Sequence, residues 1–196
     1  MKRTDAELKH ALEVDGLEAA VNLAIRAYGS ELFGFIVNTT HDEDLAQDVF
    51  QTLCMEIWKS MPRFQWQSSF RTWVYVLARR TTFRALGVSK GTPVGRLHTE
   101  GEQSLQARWT RTSTLEWQKT ENKDRFWLLC EGLEPEQRTL VMLRIGRRLP
   151  WNEVARIMSE EDAPSDANLR RLSGQLRKRF ERTKEHLKVA MQRLSS

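Results

Sequence analysis

Apolar residues recur at intervals of three and four along nearly the whole chain, and no run alternates at period two, so the pattern predicts helices throughout. Leu17, Val21, Ile25, Tyr28, Leu32, Phe35 and Ile36 predict one or two amphipathic helices over 17–38. Thr40, followed three residues later by Glu43, has the form of a capping box and starts a helix reaching about Trp58. Its apolar face is Leu45, Val49, Leu53 and Ile57, widened by Phe50, Cys54 and Trp58. Its opposite face carries Asp44, Gln47, Asp48 and Gln51.

Met61-Pro62-Arg63-Phe64 breaks that helix, and a polar loop follows to Ser69. The next helix spans Phe70 to Leu86 and stops at Gly87. Phe70, Trp73, Val74, Leu77, Ala78, Thr81 and Ala85 fall on one side of a helical wheel. Arg71, Thr72, Tyr75, Arg79 and Thr82 fall on the other and are expected to face solvent together. Periodicity is lost over 87–112, where Gly, Ser, Thr, Pro and Gln dominate, so a flexible linker and domain boundary are expected there.

A second capping box, Ser113 to Glu116, opens a helix through about Glu131 that ends at Gly132. Pro135 begins a helix through about Ile145, and Pro150 another through Met158, both prolines suiting a first helical turn. A long basic helix then runs from about Asp166 toward Leu194. The expected fold is all-α: two small helical domains, 17–86 and 113–196, joined by the linker 87–112 and preceded by an N-terminal extension, 1–16.

Composition is that of an ordinary globular chain: 196 residues, 40% hydrophobic, 29% charged, net charge +5. No run of about 18 apolar residues suggests a membrane span. Met1-Lys2-Arg3-Thr4-Asp5 lacks an apolar signal core, so a cytoplasmic location is expected. Cys54 and Cys130 are isolated from each other and from histidine, which points to core thiols rather than a metal site. The four histidines are scattered, and no nucleophile–base pairing or phosphate-binding glycine loop is present. No catalytic residue, cofactor or metal is therefore expected, and the chain reads as a binding protein rather than an enzyme.

Charge distribution changes the picture more than composition does. Glu31 to Trp58 holds six acids and no lysine or arginine, whereas Lys59 to Arg96 holds eight bases and no acid. Phe64, Trp66, Phe70, Trp73, Tyr75 and Phe83 crowd the basic stretch. Such partition concerns partners rather than fold. The acidic side suits a basic protein surface; the basic, aromatic side suits a polyanion whose bases can be stacked upon. Equally, Phe70, Trp73 and Phe64 suit a core, with the arginines a solvated face. The segment from Pro150 through the basic helix has the form of a helix-turn-helix, with Leu169, Leu172, Leu176 and Phe180 inward. Arg171, Gly174 and Lys178 point outward, flanked by Arg170 and Gln175, and arginines there can grip guanine. The bland alternative is a basic helix of a small bundle that binds nothing.

Four blocks together carry a resemblance. Asp44-Leu45-Ala46-Gln47-Asp48-Val49-Phe50, Pro62-Arg63-Phe64, Ser68-Ser69-Phe70-Arg71-Thr72-Trp73-Val74-Tyr75 and Ala78-Arg79-Arg80 resemble region two of the extracytoplasmic-function (ECF) sigma factors of bacterial RNA polymerase. Leu133-Glu134-Pro135-Glu136-Gln137-Arg138, Leu149-Pro150-Trp151-Asn152-Glu153-Val154-Ala155 and the basic helix resemble their region four. The resemblance implies a promoter-specificity subunit that binds core polymerase and melts promoter DNA. It implies that Asp44, Gln47, Asp48 and Gln51 dock on the β′ coiled coil. It places the minus-ten element against Arg63, Phe64, Trp66, Ser68, Arg71, Tyr75, Arg79 and Arg80, with the loop 64–69 as a pocket for a flipped base. It places the minus-thirty-five element against Asn168, Arg170, Arg171, Gln175 and Lys178, with region four packed on the β flap. An anti-sigma partner is also implied.

One departure stands out. The turn Ser159-Glu160-Glu161-Asp162-Ala163-Pro164-Ser165-Asp166 is longer than the family's usual turn and carries four acids. It points to a shifted recognition helix, an unusual minus-thirty-five element, or a region four turned toward a protein regulator. Two other functions compete with the sigma-factor reading: a stand-alone helix-turn-helix regulator, and a protein-interaction adaptor whose basic charge is incidental.

Overall fold

The computed structural model describes residues 3–87, 126 and 128–194. The chain divides into two compact units, Met1–Ser113 and Thr114–Ser196. All regular structure among the described residues is helical. The linker expected over 87–112 and the capping box at Ser113 and Glu116 lie outside the described residues, Gly87 excepted.

In the first unit, α1 (Arg3–His10) and a π-helical turn (Ala11–Asp15) precede α2 (Leu17–Thr40), α3 (Glu43–Ser60), a 3₁₀ turn (Met61–Arg63) and α4 (Phe70–Ala85). Helix α2 is long and apolar enough, by length and composition alone, to cross a membrane. Its apolar character is spent on the bundle instead: Ala20, Val21, Ala24, Leu32, Phe35 and Ile36 are buried, and α2 packs on both α3 and α4. Burying each large aliphatic or aromatic side chain contributes about 1.5–3 kcal/mol.

The α2–α3 corner differs from the capping box read at Thr40. Helix α2 runs through Thr40, whose hydroxyl donates back to Ile36 O at 3.1 Å. His41 turns the chain at φ 55°. Asp42, with extended backbone, is the N-cap of α3, and its Oδ1 accepts the Leu45 N–H at 2.9 Å. A residue whose own backbone is still helical cannot cap the next helix, so the role passes to Asp42. Ala46, Val49, Leu53 and Ile57 are the buried stripe of α3. Phe50 and Cys54 border it, whereas Trp58, expected to widen it, is 46% exposed.

Helix α4 departs further from expectation. Thr72, Tyr75, Arg79 and Thr82, expected in solvent, are buried. The wheel assumes one covered side, but α4 lies against both α2 and α3. Polar groups on the second covered side find partners. Tyr75 donates its hydroxyl to Glu31 Oε1 at 2.8 Å, Arg71 Nε donates to the same oxygen at 2.9 Å, and Thr82 Oγ1 donates to Ala78 O at 2.7 Å. The Arg79 guanidinium lies 4.7 Å from the Phe83 ring centroid. The N-terminus of α4 is held twice: Ser69 Oγ accepts the Thr72 N–H at 3.1 Å, and Asp5 Oδ1, from α1, accepts the Phe70 N–H at 3.1 Å.

In the second unit, helical residues 128–131 end at Gly132. They precede α5 (Pro135–Val141), a π-helical turn (Met142–Gly146), α6 (Trp151–Met158) and α7 (Asp166–Leu194). Pro135 opens α5 as its first helical residue, while Pro150 stands one position earlier than expected, as the extended N-cap of α6. Leu143, Leu149, Val154, Ile157, Leu169, Leu176 and Phe180 are buried. Arg138 is buried against the end of 128–131, where Nε donates to Cys130 O at 3.2 Å and Nη2 to Leu133 O at 2.8 Å. It satisfies carbonyls that a helix end leaves without partners. Burial pulls its pKa below the usual guanidinium value, opposed by Glu131.

Candidate functional site

Three surfaces carry the candidate residues. The first is the outer face of α3. Asp44, Gln47, Asp48 and Gln51 are all exposed. At helical spacing the same stripe continues into Met55, 59% exposed, and Trp58, 46% exposed. The face is thus acidic at the N-terminal end and apolar at the other. Sequence reading missed this apolar half because Trp58 also fits the edge of the buried stripe.

The second surface is the loop before α4. Phe64 stacks on Trp73 with centroids 4.7 Å apart and planes at 26°. Trp66 lies 4.8 Å from Phe64 and 6.2 Å from Phe70. Phe70 lies 5.2 Å from Trp73 and is completely buried, forming the floor of the cluster. Phe64, Trp66, Ser68 and Trp73 are half-buried, and Arg63 is exposed. Trp66 has φ 57°, a left-handed conformation that costs a non-glycine residue on the order of 1 kcal/mol and needs support from its surroundings. The structure therefore joins the two readings of these aromatics: Phe70 is core, and Phe64 and Trp66 stand on it at the surface.

The basic helix beyond the loop contributes less than expected. Arg71 and Arg80 are half-buried, and Arg71 forms an ion pair with Glu31. Tyr75 is 0% and Arg79 4% exposed, so neither offers a face to a ligand in this conformation. Both were expected to point outward from α4; the contact of that side with the bundle places them inside instead.

The third surface is the first half of α7. Arg170, Arg171, Gln175 and Lys178 are exposed. Asn168 is half-buried, and its side-chain amide donates to both carboxylate oxygens of Glu161 at 3.0 and 3.1 Å. Ser165 Oγ accepts the Asn168 N–H at 3.2 Å, and Ser159 Oγ accepts the Glu161 N–H at 3.1 Å, so the acidic turn folds back on the start of the helix. Trp151 lies between two arginines, with Arg144 5.0 Å and Arg177 5.7 Å from its ring.

Among the described residues no cluster of histidine, cysteine or acids could hold a metal ion. Burial pushes the Cys130 thiol up to about 12 and raises that of the half-buried Cys54. Burial, with the nearby Asp5, also raises the Tyr28 phenol.

The first two surfaces fall within a single stretch that matches a known protein family. The family described as Sigma-70 region 2 matches residues 24–88. RNA polymerase sigma factor YlaC of Bacillus subtilis is 20% identical over 173 residues, covering 84% of this chain and 94% of that protein. RNA polymerase sigma-H factor of Pseudomonas aeruginosa is 33% identical over 66 residues, 34% of each chain. Among solved structures, the sigma factor RpoE of Bartonella quintana, in complex with the anti-sigma factor NepR, superposes with a TM-score of 0.49 at 15% identity, covering 84% of this chain and 96% of that one.

Proposed function

We propose that the chain is an extracytoplasmic-function sigma factor of the sigma-70 type, a reading supported by the region 2 match and the likeness to YlaC, and that its three surfaces divide the labour of promoter-specific initiation. The α3 face binds core polymerase at the β′ coiled coil, with Asp44, Gln47, Asp48 and Gln51 as the contact groups. Carboxylates on such a surface set encounter rate and register more than final affinity. The aromatic loop holds a base flipped from the minus-ten element. Flipping costs a few kcal/mol, and stacking returns about 1–3 kcal/mol per base. Because Phe64, Trp66, Phe70 and Trp73 are packed together before any strand arrives, little further ordering is needed on binding. Arg63, next to Phe64 in sequence, together with Ser68 and the partly exposed Arg71 and Arg80, is assigned to the strand's phosphates. Helix α7 takes the minus-thirty-five duplex through Arg170, Arg171, Gln175 and Lys178, with Asn168 tied to Glu161 until DNA arrives.

The observation that carries this reading is the aromatic cluster: two half-exposed rings, Phe64 and Trp66, standing on the buried Phe70 beside the exposed Arg63. A stand-alone helix-turn-helix regulator would leave that cluster, the α3 face and the match over 24–88 without a role. The chain performs no chemistry of its own in this account; it works in the cytoplasm with core polymerase, promoter DNA and an anti-sigma protein as partners. In vitro transcription with core polymerase across a promoter library tests it. A specific set of promoters used only when the chain is added is the expected result.

A further inference from the structure

We propose that Asp5, in the segment before the matched region, is a positioning residue for the aromatic pocket. Helix α1 lies outside residues 24–88 and outside every motif that carries the resemblance. Yet Asp5 is only 4% exposed, and its Oδ1 accepts the Phe70 N–H across 65 positions of sequence. Phe70 is the first residue of α4, where a helix leaves N–H groups without partners and gathers positive partial charge. A carboxylate meets both demands with a charge-assisted bond. Ser69 already caps this first turn through the Thr72 N–H, so Asp5 adds a separate hold on the residue that matters most to the pocket.

That residue is the pocket floor. The Phe70 ring contacts Phe64, Trp66 and Trp73, with centroids 5.8, 6.2 and 5.2 Å away, and Tyr28 of α2 at 6.0 Å behind it. Its ring is therefore fixed from α2, while its backbone is fixed from α1. Helix α1 is itself anchored by Leu8, which is fully buried. Removing the Asp5 carboxylate frees the first turn of α4 and lets the floor beneath Trp66 shift. A shift of this kind weakens stacking on a flipped base and leaves the outer face of α3 untouched. The α1 segment thus tunes strand capture without contacting the strand.

This inference rests on the reading of the loop as the base-holding site, and the experiment separates the two. The full chain and its Asp5→Ala, Asp5→Asn and Trp66→Ala variants are assembled with core polymerase. Core affinity is measured by anisotropy, and base capture by the fluorescence of 2-aminopurine placed through the minus-ten element. The expected result for Asp5→Ala is core affinity within about twofold of wild type and base capture lowered roughly tenfold, the scale of a lost helix cap. Asp5→Asn, which keeps an acceptor, recovers most of the signal and guards against a variant that fails to fold. Base capture unchanged in Asp5→Ala overturns the proposal. So does a parallel loss of capture and core affinity, which marks a purely structural role. If Trp66→Ala captures the base normally, the loop reading itself falls; if Trp66→Ala loses capture and Asp5→Ala does not, only the role of Asp5 falls.

Discussion

Glu161 holds the side-chain amide of Asn168 through both carboxylate oxygens, at 3.0 and 3.1 Å, across the acidic turn that separates α6 from α7. The contact puts a negative charge at the start of the helix proposed to enter duplex DNA. In the proposed role, phosphate approaching that end is repelled by the exposed Glu161 as well as attracted by Arg170 and Arg171. Glu161→Gln keeps an acceptor for Asn168 and removes the charge. The expected outcome is duplex affinity raised about three- to tenfold at low salt, with the gain shrinking as salt rises. Anisotropy titrations of the full chain over a salt series check it; equal affinity at every salt places the turn away from DNA.

Glu31 joins α2 to α4 by accepting from both Arg71 and Tyr75 on one oxygen. Its side chain and that of Arg71 are each 21% exposed, so water offers little replacement. Glu31→Ala leaves a fully buried phenol and a half-buried guanidinium without this acceptor. The expected cost is about 2–4 kcal/mol, read from urea unfolding of the full chain. An unchanged midpoint contradicts the assignment of Glu31 as the polar link of the bundle.

The exposed acids of α3 lead to a kinetic expectation. Asp48→Arg reverses an exposed charge on the outer face of α3, so folding is retained and thermal stability stays within about 0.5 kcal/mol. Association with core polymerase slows about tenfold at low salt, and the difference narrows at high salt. Stopped-flow mixing checks this. An unchanged rate removes Asp48 from the docking face.

The two thiols differ in protection. Burial pushes the Cys130 pKa up from about 9 to about 12. A raised thiol pKa favours the protonated folded state, so the contribution to stability is complete below about pH 9 and is lost as pH rises toward 12. Iodoacetamide at pH 8.5 should leave native Cys130 unmodified and label Cys54 slowly, since the Cys54 thiol is also raised but half-buried. Peptide mass spectrometry distinguishes the two, and rapid labelling of Cys130 contradicts its buried placement.

Much of this molecule was legible from spacing. The 3.6-residue period located α2, α3, α4 and α7, and proline or glycine marked the breaks after α3 and α4. The errors on α3 and α4 share a cause: the wheel treats a helix as having one buried side. Tyr75, Arg79 and Thr72 look solvated by that rule, yet α4 is covered from two directions. Trp58 looks buried by the same rule and is not. At the α2–α3 corner, Thr40 and Asp42 both have capping chemistry, and the true cap depends on where α2 stops. Asp5 was beyond reach altogether, because nothing in its neighbourhood signals a partner as distant as Phe70. The aromatic loop was legible as a group of residue types, but its layering, with Phe70 beneath and Phe64 and Trp66 above, emerges only from packing.

In the proposed role, the rings over Phe70 capture a melted promoter base while α3 holds the enzyme. Permanganate footprinting of a promoter opened by core polymerase plus the chain tests it most directly, comparing wild type with the Phe64→Ala, Trp66→Ala double variant. Reactive minus-ten thymines are expected with the wild-type chain, and at least a tenfold loss of reactivity in the variant while core binding is retained. Undiminished promoter opening by the double variant would contradict it.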